Sequence, residues 1–240
     1  MPLPHRVEKL PWGHNKKADL MSPQSSSQRA IHELRELIFS GELAAGSDHL
    51  ESELAERLNM SRTPVREAAL TLEGQGLLEL RPRKGLRILP VSPQDMREIY
   101  DVLTELEGLA AQRAAEQGYS AAQLIDIKQA MADMDAAVDG NNLEDWARAD
   151  DQFHRELVRL SGNNRLVHLV GMMSDQVRRA RAMTLFICPI PTQSNEDHRG
   201  VVDAIERGDG AEAGRLHRGH REHAKKMIVE LLEKHRLKKL

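Results

Sequence analysis

Apolar residues recur at helical spacing soon after the start of the chain. In the stretch QRAIHELRELIFSGEL, Ile31, Leu34 and Ile38 share one face, and Gly41 follows as a stop signal. A second, shorter apolar pattern predicts a helix over 51–58. The pattern therefore predicts two helices before residue 60.

A third helix is predicted from Pro64 to about Gln75, because the residues after SRTPVREA continue the apolar spacing. Proline is tolerated in a first turn, so we expect Thr63 to be the N-cap and Arg62 to precede the helix. The next segment, LLELRPRKGLRIL, alternates as a two-stranded hairpin does, with its turn at 82–85. Three helices and a basic hairpin predict a winged helix-turn-helix domain.

We place this domain at 28–91, after a Ser/Gln-rich leader at 1–27 that we expect to be disordered. The remainder, 92–240, shows only helical periodicity, beginning with Ser92 as N-cap and Pro93 as first helical residue. The predicted helices run over 93–117, 121–138, 143–160, 165–185, 193–207 and 210–235. The predicted fold class is mainly α, a winged helix-turn-helix followed by an all-α antiparallel bundle.

Composition narrows the classes of function. The chain has 240 residues, one cysteine and no apolar run of the roughly 20 residues that a membrane helix needs. No signal peptide is visible, so we expect a cytoplasmic protein without membrane partners. Aromatic residues are only 3%, which disfavours stacking on single-stranded nucleic acid. The net charge is -3, so a surface for nucleic acid must be local.

Polar side chains fall on the apolar faces of three bundle helices. Asp150 and His154 lie one turn apart within the apolar face of their helix, and a buried carboxylate is costly unless it is paired or binds a cation. His198 and His220 fall on apolar faces in the same way, whereas His217 and His223 fall nearer the edges. Three histidines and one aspartate from three helices suggest a metal site, although an inward histidine is more often a hydrogen-bonded core residue.

The segment from GELAAG to RKGLRIL, with its SRTPVREA motif, resembles the DNA-binding half of the GntR family of bacterial transcription regulators. The resemblance implies that the third helix enters the major groove of double-stranded DNA by its N-terminus, where Arg62, Thr63 and Arg66 contact phosphates and base edges. It also implies that the wing tip, Lys84 and Gly85, reaches the neighbouring minor groove.

The bundle resembles the FCD effector domain of FadR-like members, through DDQFHRELVRLSGN, DHRGVVDAIERGD and the looser RLHRGH. Carried over by position, the resemblance assigns the metal ligands to Asp150, His154, His198 and His220. Zinc, nickel and manganese all suit this ligand set.

The sequence departs from the FCD pattern at Leu103, where many such domains carry an arginine that meets the carboxylate of the effector. Arg178 and Arg181 could supply a replacement charge, but both could equally be solvated surface residues. The stretch LFICPIPTQ at 185–193 is expected to form a loop that rims the cavity.

We interpret the protein as a homodimeric regulator that binds a short palindromic operator and a small carboxylate effector. Repression is the commoner mode of action in the family, so we expect a repressor. Two alternatives remain. A metal-dependent enzyme would use the same ligands, but no general acid or base has a matching motif. The metal could also be purely structural.

Overall fold

The computed structural model describes residues 25–235. The predicted disordered leader therefore lies outside the described residues, except for its last three positions. Of these, Ser25 caps the first helix through a reciprocal pair of hydrogen bonds with Gln28, and the helix begins at Ser26. The prediction that the leader extends to residue 27 was wrong, because this capping box starts the helix earlier.

The N-terminal part is a winged helix-turn-helix. Its helices are α1 (Ser26–Phe39), α2 (Glu51–Arg57) and α3 (Arg62–Gly74), and its strands are β1 (Asp48–His49), β2 (Leu78–Arg81) and β3 (Gly85–Ile88). The strands form an antiparallel sheet in the order β1-β3-β2. The sequence pattern predicted β2 and β3 but not β1, since a strand of two residues has no alternation to detect.

The start of α3 differs from the prediction. Ser61, not Thr63, is the N-cap residue, and Arg62 already belongs to the helix. Pro64 is therefore the third helical residue, whose backbone nitrogen has no partner within the helix in any case. The proline is buried, and its neighbours Val65, Ala68 and Ala69 belong to the same core cluster as residues of α1 and α2. This packing fixes the direction in which the first turn of α3 points.

The C-terminal part is an all-helical bundle within the described residues. Ser92 caps its first helix through the backbone nitrogen of Asp95, and Pro93 is the first helical residue, as predicted. The helices are α4 (Pro93–Glu116), α5 (Ile125–Asp139), α6 (Leu143–Leu160), α7 (Asn164–Thr184), α8 (Thr192–Glu206) and α9 (Gly210–His235). A short 3-10 turn, Leu185–Ile187, leads into the loop before α8. The mainly α fold class is confirmed.

One helix of the bundle, α7, holds the two parts together. Asp175 pairs with Arg35 of α1 at 2.7 Å, and the side-chain amide of Gln176 donates to the carbonyl of Gln75 at 2.9 Å. The buried Arg179 donates to the carbonyl of Leu89, beside the linker into the bundle. The position of the DNA-binding domain therefore depends on a few polar contacts along one face of α7.

Candidate DNA interface and metal centre

The first turn of α3 and the tip of the hairpin border one open groove of about 480 Å³. Arg62 and Arg66 line it from α3, and Arg83 and Gly85 line it from the wing. Thr63 and Lys84 are exposed beside it. The structure thus brings all five predicted DNA-contacting residues to one side of the domain, together with Arg83.

Charge pairing within the domain leaves part of the wing available. Arg81 and Arg87 both face Asp48 of β1, at 3.0 and 3.8 Å. Arg83 and Lys84 form no salt bridge among the described residues. Arg83 is exposed in the turn and has a left-handed backbone (φ 62). The positive charge that remains on the wing is thus at its tip.

Position 85 requires a glycine for a structural reason that the sequence did not reveal. Its φ is 84, and a Cβ atom there would lie 2.1 Å from the carbonyl oxygen of His49. Only glycine lets β1 pair this closely with β3. The prediction that Gly85 serves close approach to DNA thus has a competing explanation within the fold.

Four predicted metal ligands meet in the bundle. Asp150 and His154 come from α6, His198 from α8 and His220 from α9, and one donor atom of each lies within 4.8 Å of all the others. All four residues are buried. The Nε2 atoms of His198 and His220 are 3.1 Å apart, and His198 Nε2 is 3.8 Å from Asp150 Oδ1. Donors around an ion at about 2.1 Å stand roughly 3 Å apart, so this set fits a divalent cation.

Carboxylates orient two of these rings from behind. Glu107 Oε2 lies 3.0 Å from His154 Nδ1, and Asp197 Oδ2 lies 3.5 Å from His220 Nδ1. A carboxylate at Nδ1 favours the tautomer that leaves Nε2 free as a ligand atom. The Nε2 atom of His154 is buried without a hydrogen bond to any described residue. Such an atom is suited to a bound ion.

Sequence reasoning missed a buried network behind the ligands. Glu107 of α4 accepts from Arg221 Nε at 2.8 Å and from His217 Nε2 at 2.9 Å, and a second Arg221 nitrogen donates to its other oxygen. His217 is fully buried, so its predicted position near the edge of the apolar face was wrong. The reason is that α9 packs against both α4 and α8, which widens its buried face. His223 is exposed, as expected.

The electrostatics favour neutral rings beside anionic carboxylates. Burial lowers the pKa of His198 well below its usual value, lowers the pKa of His220, and lowers the pKa of His217 to about 3. Burial alone would raise the pKa of Asp150, but Arg181 and His154 together hold it below its usual value. Neutral imidazole and ionised carboxylate are the forms that bind metals.

The two candidate effector-binding arginines lie in different places. Arg181 is mostly buried and forms an ion pair with Asp150. Arg178 is exposed, and its guanidinium lies over the ring of Phe39 at 4.8 Å. Leu103, where an arginine was expected, is fully buried. Only Arg181 lies directly beside the ligand cluster.

A cavity of about 240 Å³ opens onto this cluster, and Asp150, Arg181 and His220 form part of its lining. The loop after α7 rims it, as the sequence predicted, through Leu185 and residues 188–191. Among the described residues, no helix is both long and apolar enough to cross a membrane.

A winged helix with a basic groove, joined to a helical bundle with a ligand-sized cavity, is the architecture of a DNA-binding regulator. The sequence matches the profile of the bacterial regulatory proteins of the gntR family over residues 26–88 and that of the FCD domain over residues 98–223. The chain belongs to the GntR family and is a transcription regulator with an FCD domain.

Relatives agree with this assignment. The chain is 33% identical, over 72% of its length and 75% of the relative's, to a probable D-xylose utilization operon transcriptional repressor of Paenarthrobacter nicotinovorans. It is 39% identical, over 58% of its length and 83% of the relative's, to an uncharacterized HTH-type regulator from the TAR-I ttuE-ttuC' intergenic region of Agrobacterium vitis. The fold is similar to that of E. coli McbR/YncC, with a TM-score of 0.72 at 19% identity over 88% and 99% of the two chains.

Proposed function

We propose that this protein is a metal-dependent, metabolite-responsive repressor that acts as a homodimer on a palindromic operator in the cytoplasm. The observation that carries the proposal is the convergence of four buried donors on a cavity, in a chain that also has an exposed basic groove. The relative from Paenarthrobacter nicotinovorans is a probable repressor of a sugar-utilization operon, which supports the same mode of action here. The domains proposed for these tasks are 26–91 for DNA, beginning with α1, and 92–240 for metal, effector and dimerisation.

The DNA contacts proposed are those of Arg62, Thr63 and Arg66 in the major groove, and of Lys84 at the wing. Arg66 is exposed one turn after the start of α3, next to the first turn, whose free backbone N–H groups also attract phosphates. A two-fold dimer would place two such turns on successive half-sites of the operator.

The metal would be held by Asp150, His154, His198 and His220, with zinc, nickel and manganese as candidates. Once bound, it supplies a coordination position for an acidic effector. The proposed effector is a small carboxylate. Arg181 would supply the positive charge that is missing because Leu103 stands where many FCD domains carry an arginine. A purely structural ion would need no cavity at its side, which favours sensing over scaffolding.

Elemental analysis of the purified protein tests the metal proposal. Wild type should hold about one divalent transition metal per chain, and His220→Ala should lose it and melt at a lower temperature. His223→Ala is the matched control, since His223 is exposed on the same helix. Full metal content in His220→Ala, or its loss in His223→Ala, would show that the ligand set is wrong.

A further inference from the structure

The lining of the cavity beside the four ligands is divided between apolar walls and a smaller set of polar side chains. Its walls are apolar, formed by Leu143, Trp146, Leu185, Ile190, Met227 and Ile228. Its remaining polar side chains are, for the most part, already engaged with one another. The chemistry of the lining therefore restricts which acids can occupy it.

The engaged polar groups form one connected set. Asp150 pairs with Arg181, while Asp197 faces both His220 and His223, at 3.5 and 3.8 Å. Asp197 also accepts from the amide of Gln193 at 3.0 Å. Apart from Arg181, the described lining groups left to bind a ligand are the hydroxyls of Ser194 and Tyr100, the amide oxygen of Gln193 and the second ring nitrogen of His223.

We infer that the cavity binds a compact monocarboxylic acid with an apolar body, and that it rejects polyhydroxylated acids. This inference rests on the proposed function, since it assumes that the cavity is the effector site. Ligand hydroxyls placed against Trp146, Ile190 or Met227 would lose water without gaining a partner, which is costly. A hydrocarbon body placed there gains by burial instead.

The carboxylate of such an acid has a defined binding position beside Arg181. The Arg181 guanidinium lies against Asp150 and 5.8 Å from the Trp146 ring, so it borders both the ligand cluster and the apolar wall. A divalent ion held by Asp150 adds positive charge at the same place. One carboxylate satisfies both charges, and guanidinium groups match carboxylates in geometry.

The cavity volume limits the size of the acid. At about 240 Å³ the cavity lies below the usual range of ligand pockets, which favours a small acid of roughly eight to twelve non-hydrogen atoms. Phenylacetate has this size and chemistry and serves as the probe. Phenylacetamide is its uncharged counterpart, and a pentonic acid is a polyhydroxylated acid of similar size.

Calorimetric titration of the metal-loaded protein tests the inference. Phenylacetate should bind at least about tenfold more tightly than either phenylacetamide or the pentonic acid, and it should raise the melting temperature only when metal is present. Ile190→Asp should weaken phenylacetate binding about tenfold or more, because it places a charge on the apolar wall. Ile190 is 60% exposed, so this variant should fold normally.

Ile187→Asp is the matched control, since Ile187 is exposed in the same loop but does not line the cavity. Tighter binding of the pentonic acid, or an equal loss in Ile187→Asp, overturns the apolar class while leaving a metal-dependent acid sensor intact. Equal binding of the amide would show that the carboxylate is not recognised, and it contradicts both the inference and the acidic effector of the proposed function. If no acid binds the metal-loaded protein, both the inference and the effector part of the proposed function are wrong. If the purified wild type contains no metal, the proposed function is contradicted before the inference about the acid is tested.

Discussion

Single residues in the DNA-binding domain have either a structural or an interfacial task, and burial separates the two. Pro64 is buried in the first turn of α3, whereas Arg62 and Thr63 are exposed on that turn and Arg66 is exposed just after it. Arg66 forms no salt bridge among the described residues. It is therefore free to act as a bidentate donor to a base or to a phosphate.

Arg66→Ala should weaken specific operator binding by about 1–3 kcal/mol without a change in melting temperature, because the side chain packs against nothing in the core. Fluorescence anisotropy with operator DNA and with unrelated DNA measures the specific part. Arg29→Ala provides the control, since Arg29 is an exposed arginine of α1 that pairs within its own helix. Unchanged operator affinity in Arg66→Ala would remove this residue from the interface.

At the scale of elements, sequence periodicity predicted the bundle closely. The helix predicted at 143–160 begins and ends where predicted, because an N-cap and a strong apolar face define it. Periodicity failed where tertiary contacts decide burial. Glu107 follows Leu103 by one turn on a buried face, so the apolar spacing that marks Asp150 as an inward polar residue also marks Glu107. Its partner Arg221 is different, because it is buried only where α9 packs along α4.

The helix α7 links the two candidate sites, since Arg181 pairs with Asp150 while Asp175, a turn and a half earlier, pairs with Arg35 of the DNA-binding domain. Both partners of the second pair are mostly buried. Asp175→Asn should therefore reduce the effect of an acid on operator affinity several-fold, while metal content and acid binding remain. Anisotropy titrations with and without phenylacetate measure this coupling.

Asp151→Asn is the control for this prediction, because Asp151 lies on α6 and pairs within that helix with Arg155. It should preserve the coupling. A normal acid response in Asp175→Asn would show that this contact does not transmit the state of the bundle to the DNA-binding domain.

For the whole molecule, the concentration of buried ionisable groups in the bundle makes stability depend on pH. The pKa values of His198, His217 and His220 are all lowered by burial, that of His217 to about 3. In the unfolded chain each would titrate near 6.5. As pH falls below about 6.5 the unfolded state binds protons that the native state does not, so the native state loses stability.

Metal-free protein should thus lose unfolding free energy as the pH falls from about 6.5 to 5, on the order of 1 kcal/mol per pH unit for each of these three histidines. Urea denaturation in chelator at fixed protein concentration measures this slope. His217→Gln should reduce the slope of unfolding free energy against pH by the contribution of one histidine, because a glutamine can donate to Glu107 but does not titrate. An equal slope in wild type and His217→Gln would mean that His217 is protonated in the native state, as an ion pair with Glu107.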